Sequence, residues 1–206
     1  MKLAVMQPYF FPYIGYFQLI HEVDKFVLYD DVNFINKGWI NRNNILVAGQ
    51  ANLFTIPLQK ASQNVLINQI SIMEDSKWKS KFLKTLEMAY KKAQFYNVVF
   101  PMIENIIEYK SASVSNHIHY SIQVLKKYLD IDTPIVASSS VYKNISLRGQ
   151  ERILDICIQE GAKTYVNPIG GTELYSKALF DKNQIELKFL KPRSISYKQY
   201  TDSYVP

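Results

Sequence analysis

The chain has 206 residues, of which 48% are hydrophobic and 20% charged, and its basic and acidic residues leave a net charge of +6. This composition is typical of a globular protein with a buried core and excludes a disordered chain. No stretch of about eighteen apolar residues occurs, so no membrane-spanning helix is predicted. A single cysteine, Cys157, excludes an intramolecular disulfide and indicates a reducing, cytoplasmic setting.

The first thirty or so residues predict a βαβ unit. Residues 2–6 form a short apolar strand, and a turn rich in proline and aromatic residues follows at 7–12. Pro12 favours an extended residue before it and a helix only after it, which we place at 15–23. The apolar run at 25–29 then has the length of a buried strand. This order predicts a parallel sheet with a right-handed crossover.

The middle of the chain predicts two strands that can pair with each other, at 51–57 and 65–72, and then helices at 79–92, 97–109 and 115–129. Alternation returns in the last third, with strands at 135–137, 164–166 and 185–189 and helices at 150–159 and 172–180. We therefore predict one α/β domain over residues 1–206. It has a Rossmann-like (HUP-like) parallel sheet flanked by helices, with a mostly helical insert at about 75–130.

The first turn is a candidate ligand site, because ligands of open parallel sheets bind beyond the carboxyl ends of the strands, where a helix N-terminus presents free amides. Gly15 allows the backbone to approach a ligand closely, and the backbone N–H groups near Tyr16 would face an anion bound there. The alternative is a plain tight turn with an aromatic cluster. The segment Pro-Tyr-Ile-Gly-Tyr at 12–16 resembles the Pro-His-x-Gly-His motif of HIGH-type nucleotidyltransferases, with tyrosine at both histidine positions.

A second polar cluster follows the predicted strand at 25–29. Asp30 and Asp31 are adjacent carboxylates that can hold an amine, a sugar hydroxyl or a magnesium ion, and either could act as a general base. The donors around Trp39 suit a diphosphate and a sugar, and these are Lys37, Asn41, Arg42 and Asn43. The alternative is turn capping and a local Arg–Asp pair.

Further along, the segment at 167–172 joins a strand to a helix, and Gly170 and Gly171 free its backbone to wrap an anion. Arg148 is a candidate phosphate ligand, or an exposed arginine at a helix start.

Cys157 lies on an apolar helical face and is predicted to be core. The three histidines lack ligand spacing, so no metal centre is predicted. No serine-hydrolase, P-loop or dinucleotide-binding motif occurs.

The stretch QPYFFPYIGYFQLIHEVDKFVLYDDVNFINKGWINRNNI closely resembles the opening signature of the WbqC-like proteins. The resemblance continues through 55–60, where Lys60 becomes a further candidate phosphate ligand, and through RILDICIQEGAKTYVNPIGGTELY. Many relatives have tryptophan where Tyr13 stands. The candidate substrate- and phosphate-binding set is therefore Gln7, Tyr13, Gly15, Tyr16, Lys37, Trp39, Asn41, Arg42, Asn43, Lys60, Arg148, Gly170 and Gly171.

The resemblance implies an enzyme of surface polysaccharide biosynthesis, such as that of the O-antigen of lipopolysaccharide. It implies acylation of the amine of a nucleotide-linked amino sugar, with glycine as the acyl group we favour. Amide formation needs an activated donor, either an adenylate made from ATP with Mg²⁺ or a preformed acyl ester. A homo-oligomer is compatible with this reading. The rival hypotheses are a non-catalytic protein that binds a sugar nucleotide or a pathway partner and, ranked last, a nucleic-acid-binding protein.

Overall fold

The computed structural model describes residues 1–199 and 204–205, which fall into two compact units. The first unit consists of Met1–Pro8, Pro12–Asn33 and Leu125–Arg193. The second consists of Tyr9–Phe11, Phe34–Val124 and the described residues after 193. The chain therefore crosses between the two units several times. Our expectation of one domain over the whole chain stays a prediction.

The helices and strands follow one another as β1 (Lys2–Met6), α1 (Ile14–Glu22), β2 (Lys25–Leu28), β3 (Arg42–Val47), β4 (Gln50–Thr55), β5 (Leu58–Gln59), β6 (Ser71–Ile72), α2 (Ser76–Tyr90), α3 (Tyr96–Glu108), α4 (Val114–Tyr128), β7 (Ile135–Val136), α5 (Gly149–Gln159), β8 (Thr164–Pro168), α6 (Lys177–Lys182) and β9 (Glu186–Leu190). Short 3-10 turns occur at Ile67–Gln69, Ser139–Tyr142 and Ile169–Leu174.

The first unit contains a five-stranded sheet in the order β7-β2-β1-β8-β9, and every neighbouring pair is parallel. This is the predicted Rossmann-like α/β sheet flanked by helices. The chain builds outward from β1 through β2 to β7 and then returns to β8 on the other side of β1. The strand order thus reverses between β1 and β8, which is where open α/β sheets bind their ligands.

Burial explains why these segments form a sheet. Leu3, Ala4 and Val5 of β1 are all buried, as a strand covered on both faces requires. Helix α5 buries one stripe of its surface through Ile153, Ile156 and Cys157, in a core that also contains Leu3. An apolar stripe of this kind lets a helix cover a sheet and exclude water from it.

The second unit holds the predicted insert. Helices α2 and α3 and most of α4 lie in it, within a residue or a few of the predicted bounds, together with the β3–β4 hairpin and the small β5–β6 pair. Ile106, Ile107, Ile118 and Ile122 are fully buried and account for the periodicity of α3 and α4. Within the described part of the chain, no helix has the length and apolar character needed to cross a membrane.

Two element predictions are wrong. The segment at 51–57 does not pair with 65–72, because β4 pairs instead with β3. Ala48 and Gly49 form the connecting turn with φ of 48° and 81°, the left-handed pair that tight hairpins use. The predicted helix at 172–180 is also interrupted. A 3-10 turn ends at Leu174 and α6 begins at Lys177.

Phe11 departs from the extended geometry predicted for the residue before Pro12. Its φ is 45°, in the left-handed region that bulky side chains rarely occupy. The side-chain amide of Asn43 donates a hydrogen bond of 2.5 Å to the Phe11 carbonyl, and the Phe10 and Phe11 rings lie 4.2 Å apart. These contacts hold a conformation that local preference alone disfavours.

Candidate functional site

All five strands of the first unit run in the same direction, so the segments that follow them share one edge of the sheet. Gln7 follows β1, Tyr29 to Asp31 follow β2, Ser138 to Ser140 come soon after β7, and Asn167 lies at the end of β8. This carboxyl edge is where a ligand of an open parallel sheet is expected. Both predicted catalytic residues, Asp30 and Asp31, lie there.

Asp30 is 2% exposed and is held by the serines that follow β7. The Ser138 hydroxyl donates a 2.6 Å hydrogen bond to Asp30 Oδ1, and the Ser139 backbone N–H donates a 3.2 Å bond to the same oxygen. The Asp30 N–H in turn donates to Ser139 Oγ at 3.2 Å. The two loops are therefore joined by a reciprocal set of bonds that fixes the position of the Asp30 carboxylate.

Asp31 has a different partner, although it is only one residue further on. Its Oδ2 forms a 2.5 Å ion pair with Arg152 Nη2, and the two side chains are almost fully buried. Arg152 Nη1 also donates to the Asp31 backbone carbonyl at 3.2 Å, and the Ser139 hydroxyl donates to Asp31 Oδ1. The Asp31 charge is thus neutralised by the Arg152 guanidinium, which donates to both the side chain and the backbone of Asp31.

Arg152 has further contacts that hold it in place. Its Nε donates to the Asn144 side-chain carbonyl at 2.9 Å, and its guanidinium carbon lies 5.1 Å from the centre of the Tyr29 ring. Burial raises the pKa of the Tyr29 hydroxyl, although the nearby Arg152 charge opposes that shift. Tyr29 is therefore a neutral hydroxyl at this edge of the sheet, beside a buried cation.

Two more tyrosines contact each other at β8, with Tyr165 inside the strand and Tyr175 just after the 3-10 turn that follows it. The Tyr165 hydroxyl is 3.0 Å from the Tyr175 hydroxyl and 3.1 Å from Asn167 Oδ1, and the Asn167 amide donates to the Pro168 carbonyl at 3.0 Å. Burial raises the pKa of both hydroxyls. They act as neutral hydrogen-bonding groups next to the point where the strand order reverses.

The first turn is more closed than the sequence suggested. Tyr16 is fully buried, its hydroxyl donates to the Gln7 carbonyl at 3.0 Å, and its N–H donates to the Tyr13 carbonyl at 2.9 Å. The space beside Gly15 is occupied, because a Cβ there would lie 2.3 Å from the Tyr13 ring and 2.9 Å from Pro192. Tyr13 itself is half exposed. The phosphate-binding role of this turn stays a prediction.

In the second unit, the two predicted asparagines form internal hydrogen bonds. Asn41 is 9% exposed and its amide donates to the Ile56 carbonyl at 2.8 Å. Asn43 supports the Phe11 carbonyl, and its side-chain oxygen accepts a 2.7 Å bond from the Asn44 N–H. These contacts stabilise the chain around the start of β3. A substrate role for either amide stays a prediction.

The cations predicted between 37 and 60 are arranged as follows. Arg42 donates to the carbonyls of Gly38 (3.0 Å) and Lys37, with its guanidinium carbon 5.8 Å from the centre of the half-exposed Trp39 ring. Lys37 and Lys60 have exposed side chains and left-handed backbones, with φ of 60° and 52°. Arg42 therefore closes the turn before β3, and its role towards phosphate stays a prediction.

The remaining predicted residues belong to the first unit. Arg148 is exposed and immediately precedes α5. Gly170 and Gly171 lie inside the 3-10 turn and have no left-handed φ, and their role towards an anion stays a prediction. Thr172 can be expected from its sequence position to cap the following helix, but Ser176 occupies that position. A Cβ at Gly171 would lie 2.1 Å from the Asn167 amide nitrogen.

Four residues that bind Asp30 and Asp31, or hold the residue that does, were not predicted from the sequence. They are Arg152, Asn144, Ser138 and Ser139. Arg152 did leave a signal. It precedes Ile156 by four residues, so a charged residue lies on the inward stripe of a helix that is otherwise apolar there. Buried arginines are almost always paired, and an acidic partner could have been sought. The two serines lie in a further stretch that resembles the WbqC-like proteins, at 138–140, and that resemblance could have pointed to them.

Cys157 is buried, and burial raises its pKa to about 12, which fits the prediction of a core thiol and not a nucleophile. In the described part of the chain, no three or more His, Cys, Asp or Glu side chains come together in a group that could hold a metal ion. The chemistry that this edge of the sheet offers is therefore that of carboxylates, hydroxyls and one buried guanidinium.

A sequence profile described as the WbqC-like protein family matches residues 7–206. The chain belongs to this family. It is also 25% identical to a protein of Mycobacterium tuberculosis (strain ATCC 25618 / H37Rv) named "Uncharacterized protein Rv1507c", and the match covers 100% of this chain and 89% of that one. No solved structure matches the chain. The resemblance noted in the sequence is thus confirmed at the level of the WbqC-like family.

Proposed function

We propose that this WbqC-like protein is an amide-forming transferase that attaches glycine, or a similar small acyl group, to the amine of a nucleotide-linked amino sugar. The observation that carries the proposal is the Asp30 carboxylate, held by Ser138 and the Ser139 N–H at the carboxyl edge of a parallel sheet. A fixed carboxylate in this position suits proton transfer from an attacking amine. We place the reaction in surface polysaccharide biosynthesis, as family membership suggests.

The reaction assigns different roles to the two adjacent aspartates. The sugar amine attacks the carbonyl carbon of an activated acyl donor, the new C–N bond forms, and the bond to the leaving group breaks. The amine proton passes to Asp30. Asp31 is a positioning residue, because its charge is already neutralised by Arg152 and its contacts hold the loop that bears Asp30.

The donor is either an adenylate formed from ATP or a preformed glycyl thioester, and the experiment includes both. Purified protein is incubated with a panel of nucleotide-linked amino sugars, with glycine plus ATP and Mg²⁺ in one arm and a glycyl thioester in the other. We expect one sugar nucleotide to gain the mass of one glycyl residue. Release of AMP or of free thiol identifies the donor. The absence of product in both arms contradicts the proposal.

The variant that tests the base is Asp30→Asn, which keeps the shape of the side chain. We expect kcat to fall by about 10²–10⁴-fold, the range attributed to a positioned general base. Asp132→Asn is the matched control, since Asp132 is exposed in the same unit. Unchanged kcat in Asp30→Asn, with the melting temperature preserved, removes Asp30 from the reaction.

A second function is favoured by a different observation, the neutralisation of Asp31 and the burial of Cys157. These features leave few activated groups at the described sheet edge and suit a non-catalytic protein that binds a sugar nucleotide. Isothermal titration of the same panel separates the two functions. Tight binding of a sugar nucleotide that is never converted with either donor supports binding alone.

A further inference from the structure

A large apolar cleft lies within the second unit, lined by the β3–β4 hairpin, α2, α3 and the segment at 197–199. Its volume is about 990 Å³, at the upper end of the range of small-molecule sites. Most of the described lining is apolar, and eight of the nineteen described lining residues are aromatic. The Phe54 and Phe82 rings pack 4.6 Å apart and the Tyr96 and Phe100 rings stack at 4.9 Å. Such a wall suits a ligand with a substantial apolar body.

Two of the amides that line the cleft are already engaged by the backbone. Asn43 bonds to the Phe11 carbonyl and the Asn44 N–H. Gln199 pairs with Val205 through both ends of its amide, donating to the carbonyl at 2.9 Å and accepting from the N–H at 2.8 Å. Neither amide is therefore free for a ligand. Most of the remaining described wall is apolar, and desolvating a ligand rich in hydroxyls or ring nitrogens, such as a sugar or a nucleobase, against such a wall is costly.

The polar groups that remain favour an anionic end on that apolar body. The Tyr90 hydroxyl accepts a 2.7 Å bond from the Leu46 N–H, which leaves its own proton for a ligand oxygen. Lys198 is exposed at the cleft and forms no ion pair with another described residue. None of the described lining residues is acidic. Among the described lining residues the charge is therefore positive, and it complements a single negative group.

We propose that this cleft binds an amphipathic monoanion, a molecule with a substantial apolar chain that ends in a carboxylate or a phosphate. The apolar chain of the ligand packs against the aromatic wall. Lys198 attracts the acidic head group of the ligand, and the Tyr90 hydroxyl donates to one of the head-group oxygens. The proposal for the cleft does not rest on the proposed acyl transfer. The described residues that line the cleft belong to the second unit, whereas Asp30 and the serines that hold it belong to the first.

Isothermal titration with dodecanoate and with dodecyl phosphate, each below its micellar concentration, tests the proposal and distinguishes the two head groups. We expect saturable binding of at least one of them with one molecule per chain, and no loss of the far-ultraviolet circular dichroism. Dodecanol and dodecyltrimethylammonium keep the chain and remove or reverse the charge. We expect both to bind more weakly than the anions.

Matched variants locate the site. Val99→Trp fills the cleft and is expected to weaken binding more than tenfold, whereas Val98→Trp, on the exposed face of the same helix, leaves it unchanged. Lys198→Gln is expected to weaken anion binding by about two- to fivefold, the range of an exposed ion pair, and to leave dodecanol binding unchanged. Lys84→Gln, an exposed lysine outside the cleft, is its control.

Several results overturn the proposal. One is the absence of saturable binding, and another is binding of many molecules per chain with loss of structure. A third is equal affinity in Val99→Trp and the unsubstituted protein, because the cleft is then not the site. Binding of dodecyltrimethylammonium as tight as that of dodecanoate overturns the assignment of an anionic head. None of these measurements depends on catalysis, so failure of the proposed transferase activity leaves them interpretable.

Discussion

Arg152 connects several parts of the first unit through a single side chain. Its guanidinium contacts the Asp31 carboxylate, the Asp31 carbonyl, Asn144 and the face of Tyr29. Both members of the ion pair are buried, so each depends on the other for compensation of its lost hydration. The loop after β2, which also bears Asp30, is therefore fixed by a residue far along the chain.

We expect Arg152→Met to lower the free energy of unfolding by about 3–5 kcal/mol, because it leaves the Asp31 charge buried and unpaired. Asp31→Leu in the same chain is expected to recover part of that loss, since it removes the unpaired charge. Urea denaturation measures both. Glu186→Gln breaks the exposed pair with Lys188 and serves as the control, because solvent screens an exposed ion pair and its loss has little effect on stability. A loss of similar size in Arg152→Met and Glu186→Gln contradicts the prediction.

His117 is the second residue with a measurable consequence. It is 1% exposed, its ring lies 5.5 Å from that of Phe10, and its Nε2 has no hydrogen-bond partner among the described residues. Burial and the charge of Lys79 lower its pKa from 6.5 to about 4, against a hydrogen bond with the backbone of Tyr109. The folded protein therefore keeps this histidine neutral well below pH 6.5.

The unfolded chain binds this proton near pH 6.5 and the folded chain near pH 4. The contribution of neutral His117 to the free energy of unfolding is therefore fully present above pH 6.5 and is lost as the pH drops towards 4. Between these two pH values the free energy of unfolding falls by about 3 kcal/mol. We expect His117→Phe to flatten the dependence of unfolding free energy on pH across this window. His21→Gln, at an exposed position, is expected to leave the profile unchanged. An equally steep profile in His117→Phe sinks the prediction.

At the scale of single residues, the sequence located the acidic pair but not its environment. Asp30 and Asp31 were recognisable because they directly follow a buried apolar run. Their partners were not, because Ser139 and Arg152 are more than a hundred residues away in the chain. A contact of this kind depends on the order of the strands, and a local pattern carries no information about it.

The 3-10 turn after β8 illustrates how one glycine can matter and its neighbour not. The missing Cβ of Gly171 leaves space for Asn167, whose side chain is 8% exposed and bonded to Tyr165 and Pro168. A Cβ on Gly170 meets nothing within 4 Å. Neither residue has a left-handed backbone, so alanine is compatible with the main chain at both positions.

We expect Gly171→Ala to destabilise the protein by about 1–3 kcal/mol, because the added methyl group displaces the Asn167 amide. Gly170→Ala is expected to change the stability by less than about 0.5 kcal/mol. Thermal unfolding of the two variants compares a buried contact with an open one in the same turn. Equal melting temperatures would show that Asn167 is free to move aside.

At the scale of elements, periodicity was informative where burial is one-sided. Helices α2 to α4 and α5 were predicted to within a few residues because each buries one stripe. Strand β3 was missed because it starts with Arg42, Asn43 and Asn44, and residues at both ends of the hairpin are partly exposed. Its polar composition indicated a ligand site instead of a strand, and the predicted partner of 51–57 was wrong as a result.

For the whole molecule, the net charge of +6 permits attraction of anions but does not by itself imply nucleic-acid binding. Six of the twenty lysines lie within residues 77–92, and the other fourteen are spread along the sequence. We expect no saturable binding to random duplex DNA at about 150 mM salt, and only weak, steeply salt-dependent binding near 50 mM. Fluorescence anisotropy at both concentrations measures this. Binding that persists at the higher concentration would contradict the prediction.

The position of β1 at the centre of the sheet has a consequence for biosynthesis. Its neighbours are β2, made almost at once, and β8, which begins at Thr164. While the ribosome adds the intervening chain, one side of this apolar strand has no hydrogen-bonding partner for on the order of ten seconds or more at ordinary elongation rates. An unpaired strand edge can pair with the same edge of another nascent chain. We therefore expect the yield of native protein to depend on ribosome-bound chaperones that cover that edge until translation nears completion.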